Sequence, residues 1–289
     1  MQEYEIEILK SLEGLRTPLL NRIFEAVTAI GEHALLVVII AVIYFMIDKS
    51  FAKKLFFVTM ASLSINGVVK NFVCAPRPFA SGKVSCVRPE TATGYSFPSG
   101  HTQSFATWST VLALKGKRLI YAILSAVGIF AVAFSRMYLG AHYPSDVIAG
   151  AVIGISLAII FSTIYDKVKD KNVLYLAAIV AMTPFALFFL INADIHFEDF
   201  YKFYGMLCGI PAASSFEEKY VNLECKAPVI KRLVRVVIGV LFALVIKELF
   251  DLAVFSNVRI SLISESVKYF ILIFAVMGFY PWVIKKLKI

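Results

Sequence analysis

Long apolar segments recur along the chain at lengths that suit helices crossing a membrane. A helix needs about 20 predominantly apolar residues to cross the hydrocarbon core of a bilayer. Eight segments come near this length, at residues 26–46, 55–69, 97–114, 119–134, 147–165, 173–191, 233–255 and 267–283. The pattern predicts an all-α, polytopic helical membrane protein, with a six-span core at residues 26–191 and appended C-terminal membrane helices.

The first 25 residues differ from the segments that follow them. They are amphipathic and contain acidic side chains, and they have neither the basic start nor the small-residue cleavage site of a removable signal peptide. We therefore predict that residues 1–25 form an interfacial amphipathic helix that precedes the first span.

Composition and charge support a membrane protein and indicate its orientation. Hydrophobic residues make up 59% of the chain and the mean hydropathy is +0.78, whereas soluble domains contain about 45–50% apolar residues. The net charge of +9 does not indicate nucleic-acid binding, because the cations are concentrated in the loops that the positive-inside rule assigns to the cytoplasm. Together with the short loops, this pattern is typical of a bacterial cytoplasmic (inner) membrane protein.

The C-terminal third needs one further crossing if this orientation is kept. The acidic residues 192–200 are predicted outside and the basic residues 226–235 inside, so residues 200–216 must cross between them. Gly and Pro in that stretch predict a short, broken crossing or a re-entrant segment, which is tolerated only where protein buries it. Residues 192–289 are thus predicted to be a membrane extension of two to three spans.

The loops predicted to face outward contain a small, patterned set of polar residues. Lys70 and Arg77 follow the second span, the sequence Pro-Ser-Gly-His at 98–101 opens the third, and three more polar residues flank the start of the fifth: Arg136, His142 and Asp146. Two hydrophobic hairpins bring all of these residues to one membrane face.

This set contains the groups that a phosphoryl-transfer site requires. Guanidinium and ammonium groups neutralise phosphate oxygens, and free N–H groups at a helix start add further donors. One imidazole can attack phosphorus while a carboxylate orients it, as the i, i+4 spacing of His142 and Asp146 allows. The second imidazole, of His101, can protonate the leaving oxygen.

The three motifs resemble, in their order and spacing, the signatures of the type 2 phosphatidic acid phosphatase superfamily, which also includes vanadium haloperoxidases. They are Lys70-x6-Arg77-Pro78, Pro98-Ser99-Gly100-His101 and Ser135-Arg136-x5-His142-x3-Asp146, and the resemblance covers about residues 26–165. It implies that His142 is the nucleophile, Asp146 its orienting group and His101 the general acid. It also implies a phosphate site that needs no metal or other cofactor, formed by Lys70, Arg77, Ser99, Gly100 and Arg136.

The motifs lie at the ends of predicted spans, at the level of the outer lipid headgroups. This position predicts a substrate whose tail stays in the bilayer while its phosphate reaches the cations. We expect a phosphatase that hydrolyses lipid phosphates or diphosphates at the outer face. Undecaprenyl diphosphate and a phospholipid such as phosphatidylglycerophosphate or phosphatidic acid are the two substrate classes we favour. The resemblance leaves a phosphotransferase open, whereas a lipid-phosphate transporter would not need both histidines and Asp146, and a vanadate-dependent oxidase would be soluble.

Two properties stay open at this point. Cys74 and Cys86 share an outward loop, so they could form a disulfide in an oxidising space or remain free thiols. The sequence does not define an oligomeric state.

Overall fold

The computed structural model describes residues 2–253 and 255–287, and within these residues every regular element is helical. The predicted all-α fold class is therefore confirmed. The twelve α-helices described are α1 Gln2–Gly14, α2 Pro18–Ala29, α3 His33–Val42, α4 Lys49–Val73, α5 Gly100–Gly116, α6 Leu119–Tyr138, α7 Pro144–Lys167, α8 Lys171–Ile191, α9 Glu198–Phe216, α10 Val229–Asp251, α11 Val258–Phe274 and α12 Tyr280–Leu287.

Short π- and 3₁₀-helical segments extend or connect these helices. The π-helical segments are Ile43–Ile47, Glu217–Val221 and Ala275–Phe279, and the 3₁₀ turns are Pro78–Ser81, Pro89–Thr91 and Ile195–Phe197.

Five helical segments among the described residues are long and apolar enough to cross a membrane. They are Lys49–Ser81, Leu119–Tyr138, Pro144–Lys167, Lys171–Ile191 and Val258–Leu287, and Leu35–Ile47 is a shorter apolar helix. These segments support a polytopic membrane protein. The larger count of eight or nine spans stays a prediction, and its segment 233–255 includes Val254, which lies outside the described residues.

The N-terminal region forms two helices where the sequence predicted a single one. Thr17 has an extended backbone and accepts a hydrogen bond from the N–H of Leu20, and Pro18 occupies the first position of α2. This is a favourable helix start, because the threonine oxygen satisfies a free N–H and proline has none to satisfy. A second interruption, at residues 30–32, divides the predicted span 26–46 between α2 and α3.

The chain divides into two compact units, and all the predicted site residues belong to one of them. Unit 1 comprises Met1–Leu36 and Ile65–Thr163. Within it, α7 approaches α5 closely because Gly150 and Gly154 have no side chains: a Cβ at either would lie 2.7 Å from a backbone oxygen of α5 or its cap. This small-residue spacing is typical of helices packed in membranes. It places the start of α7 against the start of α5.

Unit 2 comprises Val37–Ser64 and Ile164–Ile289. Its α9 runs without interruption through Pro211, so the break predicted in residues 200–216 is absent. The glycines of this helix instead allow close packing on α11: a Cβ at Gly205 would lie 2.2 Å from the backbone oxygen of Ser266. The domain boundaries predicted from the sequence, at residues 25 and 191, stay predictions.

A buried ion cluster joins distant segments of unit 2. Glu217, which is fully buried, pairs with Lys49 at 2.8 Å and with Lys53 at 3.6 Å. Its Oε1 also accepts a hydrogen bond from the N–H of Leu223. Because a buried carboxylate is costly unless it is paired and hydrogen-bonded, these contacts fix α4 relative to the segment after α9.

Candidate active site

The Pro98–His101 turn is held by its neighbours in unit 1. Ser99 caps α5 by accepting a hydrogen bond from the N–H of Thr102, and its own N–H donates to the backbone oxygen of Asp146 at 3.0 Å. Lys70 lies beside the turn, since a Cβ added at Gly100 would be 3.9 Å from its Nζ. The free N–H groups at the start of α5 and a lysine ammonium therefore point to one small region, which suits an anion.

The His142 imidazole and the Asp146 carboxylate form a buried pair. Their Nδ1 and Oδ2 atoms are 3.3 Å apart, and the two side chains are 1% and 3% exposed. The same Oδ2 accepts hydrogen bonds from Ser96 Oγ at 2.5 Å and from the N–H of Tyr143 at 2.9 Å. Asp146 thus contacts the imidazole and also accepts from the N–H of Tyr143, the residue before α7, as the third residue of a helix does in a capping box.

Arg77 connects three segments around His142. Its guanidinium donates to the backbone oxygens of Thr93, Gly94 and Ala141, at 2.5, 3.0 and 3.0 Å. Nη1 also lies 3.1 Å from His142 Nε2. An arginine can only donate, so Nε2 accepts this hydrogen bond and the imidazole proton lies on Nδ1, towards Asp146. This is the tautomer in which Nε2 can act as a nucleophile.

Arg136 is the most deeply buried cation of the site, with 0% of its residue surface exposed. Its Nη1 donates to the hydroxyls of Thr28 and Thr91, at 3.2 and 3.4 Å. Its Nε has no hydrogen-bond partner among the described residues. A buried guanidinium with an unused donor is suited to receiving a phosphate oxygen.

A polar network supports the Lys70 end of the site. Asn66 Nδ2 donates to Gln103 Oε1 at 2.8 Å and to the backbone oxygen of Pro98 at 3.3 Å. Asn66 is 3% exposed and Gln103 0%. This network ties α4 and α5 to the turn, so that its position depends on both helices.

The electrostatic environment favours the neutral form of His142. Burial lowers the pKa of its imidazole well below the usual value, and the positive charges of Arg77, Arg136, Lys70 and His101 lower it further. The structure therefore brings the predicted cations and both histidines into one electrostatic neighbourhood.

We expect His142 to remain neutral as the pH is lowered through about 6.5, the usual histidine pKa. A histidine in the unfolded chain takes up a proton there while His142 does not, so the free energy of unfolding should fall as the pH falls below about 6.5. The measurement is a pH titration of ¹⁵N-histidine-labelled protein by NMR. The chain has four histidines, and His142→Gln assigns the signal. A His142 signal that titrates at or above 6.5 would contradict the expectation.

Sequence reasoning did not identify Ser96, Thr28, Thr91 or Gln103. Each contacts a predicted site residue, but a single serine, threonine or amide has no spacing that distinguishes it within an apolar chain. Ser96 lies two residues before Pro98, and that proximity was the one available signal.

The four cysteines, all within the described residues, are free thiols, so Cys74 and Cys86 do not form a disulfide. No group of three or more His, Cys, Asp or Glu side chains within residues 2–253 and 255–287 is arranged to hold a metal ion.

An apolar groove of about 970 Å³ lies between α6 and α7, with the last turns of α5 as part of its lining. It extends from Lys117, Arg118 and Leu119 at one end to Met137 and Pro144 at the other. From Leu119 to Met137, α6 rises about 27 Å, close to the roughly 30 Å of a bilayer's hydrocarbon core. Pro144 follows His142 by two residues, so one end of the groove adjoins the site.

Two family models match the chain. The model described as PAP2 superfamily matches residues 51–170, and the one described as PAP2 superfamily phosphatase, transmembrane extension, matches residues 201–289. Together these matches cover more than half of the chain. The chain belongs to the PAP2 superfamily. It is a membrane phosphatase of the PAP2 type, as the three motifs indicated.

Individual PAP2 relatives are similar to the chain at low identity. Phosphatidylglycerophosphatase B of Bacillus subtilis is 26% identical over 58% of this chain and 87% of its own length. Undecaprenyl-diphosphatase BcrC of the same organism is 27% identical over 56% of this chain and 85% of its own length. The crystal structure of LpxE from Aquifex aeolicus matches with 30% identity and a TM-score of 0.48, over 54% of this chain and 92% of that one.

Proposed function

We propose that this PAP2 phosphatase hydrolyses lipid phosphates or diphosphates at the outer face of the cytoplasmic membrane through a phosphohistidine at His142. The observation that carries the proposal is the state of the His142 imidazole. Its Nδ1 faces Asp146, its Nε2 lies among cations that can hold a phosphate, and burial lowers its pKa, which favours the neutral form. A nucleophile, an orienting carboxylate and charge stabilisation are thus present together.

The proposed reaction has two displacements at phosphorus. His142 Nε2 attacks, the bond between phosphorus and the leaving oxygen breaks, and His101 gives its proton to that oxygen. Water then attacks the phosphohistidine while His101 takes a proton from it, the P–N bond breaks and phosphate leaves. Arg77, Arg136, Lys70, the Ser99 hydroxyl and the N–H of Gly100 stabilise the charge on the nonbridging oxygens.

The groove between α6 and α7 supports a substrate with a long hydrocarbon tail. An acyl chain anchored at one membrane face fills about half of the hydrocarbon core, whereas this groove extends for most of its thickness. Of the two substrate classes favoured from the sequence, an undecaprenyl diphosphate matches this length better than phosphatidylglycerophosphate does. We therefore propose the polyprenyl diphosphate as the first substrate to test.

The test is phosphate release by detergent-purified protein with EDTA present. The panel contains undecaprenyl diphosphate, farnesyl diphosphate, phosphatidylglycerophosphate, phosphatidic acid and glucose 6-phosphate. We expect release from the lipids and a preference for undecaprenyl diphosphate. Release that requires a metal, or that favours glucose 6-phosphate, would contradict the proposal. A reaction that proceeds only when a sugar or lipid acceptor is added would indicate a phosphotransferase.

A variant that fills the groove tests whether the substrate's hydrocarbon tail binds there. Ala122 lines the groove about 22 Å along α6 from Met137. We expect Ala122→Trp to lower kcat/KM for undecaprenyl diphosphate by about tenfold and to leave farnesyl diphosphate unaffected, because only the long chain reaches that position. Ile123→Trp is the matched control, since Ile123 is exposed on the same helix outside the groove lining. Equal effects on both substrates would contradict the proposal that the groove binds the long tail.

A further inference from the structure

The N-terminal helix α1 packs on the loops that carry the candidate site. Ile6 and Leu9 form a buried cluster with Val84 and Tyr143, and Tyr143 is the neighbour of His142. Just after α1, Arg16 donates to the backbone oxygen of Tyr138 at 2.9 Å. Apolar contacts from α1 and a polar contact just after it therefore fix the helix against the rest of unit 1.

Glu5 makes a specific contact from this helix to the start of α7. Its residue surface is 8% exposed, and its Oε1 accepts a hydrogen bond from the N–H of Ser145 at 2.8 Å. Ser145 is the second residue of α7, whose first-turn N–H groups have no partners within the helix. An N-cap serine, threonine, aspartate or asparagine commonly supplies this acceptor. Here Tyr143 precedes the helix, and the acceptor comes from Glu5, 140 residues away in the chain.

The hydrogen bond lies next to the residues whose geometry the proposed reaction requires. Asp146 directly follows Ser145, and its carboxylate contacts the His142 imidazole at 3.3 Å. Fraying of this first turn would change that distance, and displacements of about 1 Å in such arrangements can cost about 100-fold in rate.

We propose that Glu5 is a positioning residue of the active site: by capping α7 it fixes Asp146 relative to His142. The inference rests on the proposed function of the His142 site. It also extends that site to a helix outside residues 51–170, which the PAP2 superfamily model matches.

The test compares Glu5→Ala and Glu5→Gln with Glu7→Ala, which removes an exposed carboxylate from the same helix. We expect Glu5→Ala to lower kcat about 10- to 100-fold while KM changes less than about threefold, because positioning acts on the chemical step. Glu5→Gln should restore most of kcat, since an amide oxygen can accept the same hydrogen bond. Glu7→Ala should behave as the parent protein. Thermal unfolding of each variant sets an assay temperature at which all are folded.

The ¹⁵N-histidine spectrum gives a second readout that does not depend on turnover. We expect the His142 ring signals to shift in Glu5→Ala and to stay unchanged in Glu7→Ala. Unchanged signals together with an unchanged kcat would overturn the inference. A kcat loss that Glu5→Gln does not restore would overturn it as well. If the parent protein releases no phosphate from any lipid, the proposed function fails, and the spectrum alone decides whether Glu5 positions His142.

Discussion

Replacing His142 with alanine is expected to lower kcat by about four orders of magnitude or more and to leave lipid binding nearly unchanged. The proposed covalent intermediate needs a nitrogen at this position, and removing a catalytic nucleophile costs on the order of 10⁶ in well-studied hydrolases. Binding should persist because Arg77, Arg136 and Lys70 remain. Single-turnover experiments with ³²P-labelled lipid phosphate, quenched in alkali, measure both the rate and the labelled protein.

The matched control for this variant is His196→Ala. His196 lies in unit 2, is about half exposed and pairs with Asp194 in its own loop. We expect it to keep full activity and to retain the ³²P label on the protein. A His142→Ala protein that still turns over, or still carries the label, would contradict the phosphohistidine mechanism.

Changing Arg77 to lysine is expected to lower kcat/KM by about 100-fold although the charge is kept. The guanidinium donates to three backbone oxygens and to His142 Nε2, and an ammonium on a flexible stem cannot reproduce this planar set. Loss of one preorganised donor typically costs about 10²–10³ in rate. The measurement is kcat/KM for the best substrate of the panel, at a temperature where the variant is folded.

Lys83→Gln is the control for replacing a basic side chain of the same loop. Lys83 is exposed, so its replacement should change kcat/KM less than about twofold. If Arg77→Lys keeps the activity of the parent protein, Arg77 contributes only charge, and the fixed tautomer of His142 would need another cause.

The candidate site was predictable where chemistry requires fixed residue types at fixed spacings. The cations at 70, 77 and 136, the Pro98–His101 turn and the His142–Asp146 pair all have such spacings, and the structure places them in one unit. The contacts around them were not predictable, because they depend on which segments fold together. Arg136, for example, contacts Thr28 and Thr91, which lie 108 and 45 residues away in the sequence. Asp146 contacts Ser96, which lies 50 residues away.

For the fold, the sequence indicated the membrane helices but not where they are interrupted. Apolar runs indicated the membrane helices, because burial in lipid requires long helical segments whose backbone groups are satisfied internally. They did not indicate the interruption at residues 30–32, where Gly31 packs against the backbone of His101 and the side chain of Val132. The glycines near Pro211 suggested a break, but in the structure they serve close packing on α11.

The contact between Glu5 and α7 has a consequence for comparing homologous sequences. The partner of Glu5 is the backbone N–H of residue 145, which every residue except proline possesses. Position 145 can therefore vary while the hydrogen bond persists, and correlated substitutions between the two positions are not expected. A search for co-evolving residue pairs would miss this connection, whereas an alignment of the N-terminal helix would detect it as a single retained acceptor.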